Sequence, residues 1–303
     1  MIRWGQAVAR ARAEGAPIVA LESSVFAQGL APPANRRAYA EMKAAVERAG
    51  AVPAVTGVVS GEAVAGVEGA AMERFLAIGA PKVSARDLAW AMASGGDGAT
   101  TVAATLAIMA AAGLDVFATG GIGGVHRDAP FDESADLMEL SRASAVVVCA
   151  GAKAILDLPA TVERLEALGV TVIGFGTDEL PGFFTARTGL RLRAVATRPE
   201  DVARAFLAQR AIGRPGSILV VQPPPAAHAL DGAVVDEAVR AALAEARAGG
   251  IHGPAVTPFL LAAVERATGG ASVRANLALL EANAAVAGSI AVALAGLAGR
   301  GVA

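Results

Sequence analysis

The sequence has little of several features that whole classes of protein require. A single cysteine, Cys149, excludes an internal disulfide and is typical of a protein kept in a reducing cytoplasm. Lysine and arginine (26) nearly balance aspartate and glutamate (28), and no basic block occurs, so we expect no nucleic-acid partner. Residues 1–4 carry no apolar run and no cleavage site, so we expect no secretory signal.

Aromatic residues and long hydrophobic runs are also scarce. Only 4% of the residues are aromatic, although 54% are hydrophobic and the mean hydropathy is +0.52. The two best apolar stretches, residues 99–114 and 284–299, are shorter than the roughly 20 residues of a membrane-spanning helix. We therefore expect no membrane partner, and we interpret these stretches as buried helices, partly covered by other subunits of an oligomer.

Short apolar runs alternate with stretches of helical spacing along the chain. This order predicts βαβ units and a largely parallel sheet covered on both faces, and no linker divides the single domain 1–303. The predicted strands are residues 17–21, 54–59, 116–119, 145–149, 170–175 and 217–221. The predicted helices are residues 35–49, 83–92, 100–112, 150–156, 199–212, 231–248, 258–268 and 273–297.

Ionisable residues follow three of the predicted strands directly. Glu22 follows the first strand, a polar glycine-rich segment spans residues 120–136, and Lys153 lies just past the strand at 145–149. Because the carboxyl ends of parallel strands meet at one edge, we expect these groups to converge there. A lysine in such apolar surroundings becomes nucleophilic when desolvation lowers its pKa. Taken alone, Glu22 also fits a helix cap or a salt bridge, and Lys153 a solvated surface position.

The segment from Thr119 to Arg127 is rich in glycine, but it matches no nucleotide loop. Gly121 and Gly123 have G-x-G spacing, yet His126 stands where the third glycine of a dinucleotide-binding loop belongs. No lysine followed by serine or threonine completes a P-loop either. Four glycines allow a small ligand to approach the backbone closely, and a flexible turn is the alternative interpretation.

Two other segments suggest binding sites. Residues 131–136 (FDESAD) place three carboxylates in a short stretch, which suits a hard divalent cation, although a helix cap at Ser134 or Asp132 also explains it. Residues 98–102 resemble the start of a helix, where free N–H groups attract phosphate, and Lys82 adds positive charge. Ion pairs on a helix surface are the alternative here.

Taken together, these segments resemble the pseudouridine-5′-phosphate glycosidases, also called the indigoidine synthase A-like family. The likeness runs in matching order from about residue 18 to about residue 295. It rests most on residues 117–127 (FATGGIGGVHR) and 147–153 (VVCAGAK), with residues 20–23, 82–88, 98–103, 131–137 and 257–261 in support. The resemblance implies a three-layer α/β/α arrangement around a mixed sheet, a cytoplasmic homotrimer and one Mn²⁺, or another divalent cation, per subunit.

The resemblance also implies a role for individual residues. Glu22 becomes the proton donor, Lys153 the nucleophile that bonds to ribose, and Asp132 the metal ligand. The implied substrate contacts are Lys82, Val102, Ser134, Ala135 and Asp136, with Thr119, His126 and Asn276 as further pocket members. The implied reaction cuts pseudouridine 5′-phosphate reversibly into uracil and ribose 5-phosphate. One departure is Gln28, which occupies a position where the family commonly has histidine.

Three other functions compete with this interpretation. A Schiff-base lyase or aldolase acting on a different sugar phosphate would keep Lys153 and change the leaving group. A sugar-phosphate binding protein without activity, or an accessory factor in pigment synthesis, would not need Glu22, Asp132 and Lys153 together. A sugar kinase would need a loop for the phosphates of ATP, and the sequence contains none.

Overall fold

A computed structural model describes residues 2–77, 79–127, 132–251 and 256–298. Its strands are β1 (Arg3–Trp4), β2 (Ile18–Leu21), β3 (Val52–Val59), β4 (Glu62–Ala65), β5 (Lys82–Val83), β6 (Gly98–Thr100), β7 (Val116–Ala118), β8 (Val125–His126), β9 (Val146–Cys149), β10 (Leu156–Asp157), β11 (Thr171–Phe175), β12 (Ala194–Ala196) and β13 (Ile218–Val221). Its α-helices are α1 (Gln6–Glu14), α2 (Ala34–Arg48), α3 (Gly69–Leu76), α4 (Leu88–Ala93), α5 (Val102–Ala112), α6 (Ala135–Arg142), α7 (Leu158–Ala167), α8 (Pro199–Ala211), α9 (Gly232–Ala248), α10 (Val256–Ala267) and α11 (Ala271–Ala298). A π-helix (Val25–Gly29) and a 3₁₀-helix (Ala85–Asp87) complete the list.

Eleven of these strands form one mixed, largely parallel sheet. Along its main path the order is β1-β4-β3-β2-β7-β9-β13-β11-β12, and every pair from β3 to β12 is parallel. The strands β4 and β6 run antiparallel to β3, and β5 pairs with β6. Helices cover both faces, with α11, α2 and α8 packed together on the sheet and α5 packed against α6. The predicted three-layer architecture in a single domain is confirmed.

The central strands form because their side chains are branched, apolar and buried on both faces. All four residues of β9 and all four of β13 are buried. A parallel strand that is covered by helices on both sides has a continuous hydrophobic sequence, as residues 145–149 and 217–221 do. The carboxyl ends of β2, β7, β9 and β13 therefore lie side by side at one edge of the sheet.

The helix α11 accounts for the second long apolar stretch. Within the described residues it is the one helix long and apolar enough to cross a membrane, by length and composition alone. It packs instead on α2, α8 and the strands β2, β7 and β9, and 56% of its most apolar window is buried inside the protein. The contact with α2 is close, since a Cβ on Gly288 would lie 2.6 Å from that of Ala49. We conclude that α11 is a core helix.

The helix predicted after β9 is wrong. Residues 150–155 form a loop, in which Gly151 has a φ of 87°, a left-handed conformation that interrupts a helix. The loop pairs with the glycine-rich segment rather than with itself. The N–H of Ala150 donates to the carbonyl of Gly120 at 2.9 Å, and the N–H of Lys153 donates to that of Ile122 at 3.0 Å. Tertiary hydrogen bonds thus replace the helical ones.

The helix predicted over residues 83–92 is only partly correct. Val83 belongs to β5, where it pairs with Thr100 of β6. The chain then turns at Ser84, which forms a reciprocal capping box with Asp87, before α4 begins. Thr100 likewise belongs to a strand, and the helix predicted from residue 100 begins at Val102.

Candidate active site

The two predicted catalytic groups follow neighbouring parts of the parallel sheet. Glu22 comes directly after β2 and Lys153 four residues after β9, with β7 lying between these two strands. Thr119, which directly follows β7, therefore lies between them at the carboxyl edge. The expected convergence of the three strand ends is the arrangement in which ligands bind to open α/β sheets.

The carboxylate of Glu22 is buried and held by two hydroxyl groups. Only 6% of the residue is exposed. The hydroxyl of Thr119 donates to Oε1 at 2.5 Å, and the hydroxyl of Ser24 donates to Oε2 at 2.5 Å. Short O–H···O⁻ bonds of this kind are charge-assisted and fix the orientation of a carboxylate. Glu22 is thus neither a helix cap nor a surface ion pair, which removes both alternative interpretations of this residue.

Lys153 is half-buried, and its backbone is fixed, while its amine has no hydrogen-bond partner among the described residues. No carboxylate of the described residues lies within ion-pair distance of Nζ. Two backbone hydrogen bonds hold the loop. The N–H of Lys153 donates to the carbonyl of Ile122, and the N–H of Ile122 donates to the carbonyl of Gly151 at 3.1 Å. Gly121 has no room for a Cβ, which would lie 2.6 Å from the ring of Phe183. A lysine on a rigid support with an uncommitted amine suits a nucleophile.

The charged groups that shift the pKa of Lys82 are themselves predicted site residues. The residue as a whole is exposed, yet desolvation of its ammonium group lowers its pKa. The positive charge of Lys153 lowers the pKa further, whereas the charges of Glu22 and Asp136 oppose the shift. Lys153, Glu22 and Asp136 are therefore all within electrostatic reach of Lys82. Such a cluster of coupled charges is typical of a functional site.

Asp136 joins two backbone segments through its carboxylate. Oδ1 accepts from the N–H of Ala103 at 2.9 Å, and Oδ2 accepts from the N–H of Gly123 at 2.8 Å. Ser134 caps α6, which begins at Ala135, by accepting from the N–H of Asp136. The capping interpretation of Ser134 is confirmed. Asp136 holds the start of α5 against the glycine-rich segment, and both of its oxygens are engaged in doing so.

The first turn of α5 leaves one N–H group without an acceptor. Thr101 caps this helix by accepting from the N–H of Ala104, and the N–H of Ala103 goes to Asp136. Among the described residues, nothing accepts from the N–H of Val102. The side chain of Val102 is buried, so this residue has only its backbone to offer. A free N–H at the start of a helix suits a phosphate oxygen.

The three carboxylates of the acidic segment have different partners. Glu133 forms a two-bond ion pair with Arg164, at 2.7 and 2.8 Å. Asp132 instead faces His126, with Oδ1 2.9 Å from Nδ1 in a geometry that leaves the buried Nδ1 without a hydrogen bond. Asp132 thus remains as the half-exposed carboxylate of the group. Residue 131 of this segment, like residues 128–130 before it, lies outside the described residues.

Asp132 and His126 fit a cation only if water supplies most of its ligands. No group of three histidine, cysteine, aspartate or glutamate side chains in the described ranges is arranged to hold a metal. A hard divalent cation does accept one carboxylate with several waters. The unpaired Nδ1 of His126 offers such a cation, or one of its waters, a second polar neighbour. The donor set therefore fits a partly hydrated Mn²⁺.

Asn276 and Gln28 border a cavity of about 350 Å³ between the π-helix and the two C-terminal helices. Phe184 also lines this cavity. Gln28 donates through its side-chain amide to the carbonyl of Ala80, two residues before Lys82. The amide oxygens of Gln28 and Asn276 are both buried without a partner. The wall of this cavity thus contains both the position that departs from the family pattern and one of the predicted pocket residues.

Sequence reasoning missed three residues that support the site. Ser24 holds Glu22, and Asn283 of α11 donates to the backbone carbonyl of Thr119 at 2.8 Å. Phe183 has a φ of 66°, an uncommon value for a side chain of its size, and it packs against Gly121. A polar residue within a predicted buried helix was the available signal for Asn283, whereas nothing in the sequence marked the other two.

Known proteins resemble this chain over nearly its whole length. Curated relatives named pseudouridine-5′-phosphate glycosidase are 64% identical in Gemmatimonas aurantiaca and 50% identical in Herpetosiphon aurantiacus, covering 92% and 95% of this chain and 92% and 96% of theirs. The prealnumycin C-glycosynthase AlnA, solved in complex with ribulose 5-phosphate, is 39% identical with a TM-score of 0.92, and 99% of each chain is covered. An indigoidine synthase A-like protein from Thermotoga maritima is 34% identical with a TM-score of 0.89, covering 97% of each chain. Residues 7–293 match the family model described as indigoidine synthase A like protein, and the chain belongs to this family.

Proposed function

We propose that this protein is a pseudouridine-5′-phosphate glycosidase, which cuts the carbon–carbon bond between uracil and ribose 5-phosphate. The observation that carries the proposal is the pairing of a clamped carboxylate, Glu22, with the uncommitted amine of Lys153 at one sheet edge. The names of the curated relatives support the same substrate. The enzyme acts in the cytoplasm in the breakdown of pseudouridine.

The bond to be broken explains why an amine is needed. Ordinary glycosidases protonate an oxygen leaving atom with one of two carboxylic acids. In pseudouridine the leaving atom is a ring carbon without a lone pair, so that route is closed. We propose that Glu22 takes the N1 proton of uracil as the ribose ring opens: the electrons released at N1 form a double bond between C5 and C1′, and the C1′–O4′ electron pair passes to O4′. O4′ then takes the proton from Glu22, which returns to its carboxylate form.

Lys153 then forms a covalent intermediate. The amine of Lys153 bonds to C1′ through its lone pair and passes one proton to N1 of the uracil ring. Glu22 takes the second amine proton and gives it to C5, which allows the C1′–C5 bond to break. That bond's electrons stay with uracil, while the nitrogen lone pair forms an imine with C1′. One water hydrolyses the imine, so the sum is pseudouridine 5′-phosphate plus water to uracil plus ribose 5-phosphate, and each step can be reversed.

Protein groups that bind the phosphate, together with a metal site, would hold the substrate in place. Lys82 and the free N–H of Val102 bind the phosphate, which supplies binding energy remote from the reacting carbon. Asp132, with His126 close by, would hold Mn²⁺, which would supply positive charge and ordered water when bound. Ser134 and Ala135, at the start of α6, contact the substrate from the adjoining helix end.

The molecule works as a homotrimer. Several large apolar side chains remain exposed on the single chain, among them Trp90 (77%) and Ile212 (77%). Light scattering should give three times the mass of the 30.1 kDa chain. If light scattering gives the mass of a single chain at micromolar concentration, the protein is not a trimer. The proposed activity does not depend on that result.

The decisive experiment incubates the purified protein with pseudouridine 5′-phosphate and Mn²⁺ and measures free uracil by chromatography. We expect equal amounts of uracil and ribose 5-phosphate from the wild-type protein and neither from Lys153→Ala. Ribose 5-phosphate with uracil should give the substrate back. Turnover of another sugar phosphate by an imine at Lys153, with no uracil released, would favour a different Schiff-base lyase.

A further inference from the structure

Two buried amide side chains meet behind the proposed catalytic groups. Asn283 of α11 has no exposed surface, and Gln222 directly follows β13. Nδ2 of Asn283 donates to the carbonyl of Thr119 at 2.8 Å and, more weakly, to that of Gly120 at 3.3 Å. Oδ1 of Asn283 accepts from Nε2 of Gln222 at 2.8 Å. The Gln222–Asn283 pair therefore connects a helix with two strand ends.

The orientation of both amides is fixed by their neighbours. The backbone carbonyls of Thr119 and Gly120 can only accept, so Asn283 must direct its NH₂ group toward them. Its oxygen then faces Gln222, which must donate. Neither amide can be flipped without placing two acceptors against each other in a buried space, at a cost comparable to a lost hydrogen bond for each unsatisfied group.

One end of this pair reaches the proposed proton donor. Thr119 is held by its N–H, which donates to the carbonyl of Val148 at 3.0 Å, and by its own carbonyl on Asn283. Its hydroxyl is thereby aimed at Glu22, to which it donates. Without Asn283 the carbonyl of Thr119 loses this partner, and the backbone next to the Thr119 side chain is held less firmly.

The other end reaches the loop of the proposed nucleophile. The N–H of Gln222 donates to the carbonyl of Cys149 at 3.1 Å, just before the loop that carries Lys153. The carbonyl of Gly120, which receives the weaker bond from Asn283, also accepts from the N–H of Ala150 at 2.9 Å. The pair thus touches both the Glu22 side and the Lys153 side of the site.

We propose that the Gln222–Asn283 pair is a positioning unit that sets where Glu22 stands relative to Lys153. The inference rests on the proposed function, since it assumes that both groups act on one substrate. Neither amide touches the reacting atoms. The pair acts through Thr119 and through the backbone on either side of β9, and its loss should affect turnover far more than binding.

The first test replaces Asn283 with leucine, which has a similar shape and no amide. Supporting groups of this kind typically contribute 10- to 100-fold, so we expect kcat for uracil release to fall by about that factor. KM should change by less than about threefold, because the phosphate contacts at Lys82 and Val102 lie elsewhere. Gln222→Leu should lower kcat in the same direction by loosening the pair from its other side. An unchanged kcat in both variants overturns the proposal.

A matched control separates positioning from a general loss of stability. Gln209 is also nearly buried, and its Nε2 donates to the carbonyl of Gly216 at 2.7 Å, in a helix that carries none of the proposed catalytic residues. Gln209→Leu removes an equivalent amide-to-carbonyl bond. It should lower the melting temperature as Asn283→Leu does and leave kcat unchanged. Equal losses of kcat in the two variants would mean that stability alone explains the effect.

A double-mutant cycle with Thr119→Val tests whether Asn283 acts on Glu22 through the hydroxyl of Thr119. Thr119→Val removes the hydroxyl from Glu22 and should itself lower kcat. If Asn283 acts mainly through this hydroxyl, adding Asn283→Leu to Thr119→Val should cost less than about threefold more. A full additional 10- to 100-fold loss contradicts that route. Should Asn283→Leu fail to fold, Asn283→Ser and Gln222→Leu carry the same cycle. A wild-type protein that releases no uracil refutes the proposed function, whereas an active wild-type protein with unchanged kcat in both Asn283→Leu and Gln222→Leu refutes only the positioning unit.

Discussion

Replacement of Lys153 tests the covalent mechanism most directly. Its amine has no ion-pair partner among the described carboxylates, so Lys153→Ala leaves no such charge stranded. The side chain is half-buried, and we expect the free energy of unfolding to change by less than about 1 kcal/mol. Loss of a nucleophile commonly removes most of the catalytic rate, so kcat should fall by about 10⁴- to 10⁶-fold. Binding of pseudouridine 5′-phosphate should persist in calorimetry, since Lys82 and Val102 remain.

The covalent adduct itself can be trapped and located. Sodium borohydride added to the wild-type protein with ribose 5-phosphate should reduce the imine, leaving a pentose phosphate on the Lys153 peptide in mass spectrometry. The chain has only three lysines, Lys43, Lys82 and Lys153, so the assignment is unambiguous. Lys43 is the matched control: its hydrogen bond to Glu47 raises its pKa, which keeps the amine protonated. Lys43→Ala should retain both trapping and turnover.

The outcome that refutes this reasoning is equally specific. Lys153→Arg should be inactive, because a guanidinium stays protonated and cannot act as an amine nucleophile. Near-normal turnover in Lys153→Arg, or an adduct found on Lys82 alone, would mean that Lys153 merely contributes charge. The proposed imine would then have to be abandoned, whatever the product analysis gives.

Three further changes probe the surroundings of these groups. Gly123→Ala would place a Cβ 2.2 Å from the hydroxyl of Ser134. We expect the free energy of unfolding, measured by urea denaturation, to fall by about 1–3 kcal/mol, and substrate binding to weaken. Unchanged stability would show that the two segments can move apart. Lys82→Met should raise stability slightly at pH 7–8, because desolvation and the charge of Lys153 lower the pKa of Lys82 in the folded protein and so penalise its protonated form. This gain should fade as the pH rises and vanish above 10.5, where the lysine is neutral in both states; a gain independent of pH would exclude the electrostatic cause. Asp132→Asn should weaken Mn²⁺ binding in calorimetry and lower activity as chelation does, and undiminished Mn²⁺ binding would place the ion elsewhere.

The sequence predicted the parts of the fold that depend on local patterns. The strand at 145–149 was recognisable because a parallel strand buried on both faces is a run of branched apolar residues. Glu22 and Lys153 stood out because each follows such a run. Where backbone partners are distant in the chain, prediction failed: residues 150–156 look helical by composition, yet they pair with the glycine-rich segment.

The finer structure of the site depends on contacts that no local pattern reveals. Asn283 and Thr119 are 164 residues apart and are brought together only by the packing of α11 on the sheet. Similarly, the sequence cannot tell which acidic residue of the segment near 132 is available. Asp132 is the available one, because Glu133 pairs with Arg164 and Asp136 accepts from two backbone N–H groups. Residue type and spacing identify candidate carboxylates, and tertiary packing determines which partner each of them has.

The position of α11 also has a consequence for how the protein is made. This helix is the last described element of the chain, yet it covers β2, β7 and β9, the strands from which the site projects. During synthesis these apolar strands leave the ribosome long before the helix that shields them. Contacts of such long range slow folding, and exposed apolar surface invites aggregation of the incomplete chain. The nascent protein therefore depends on α11 both to cover these apolar strands during folding and to keep the carboxyl edge of the sheet rigid.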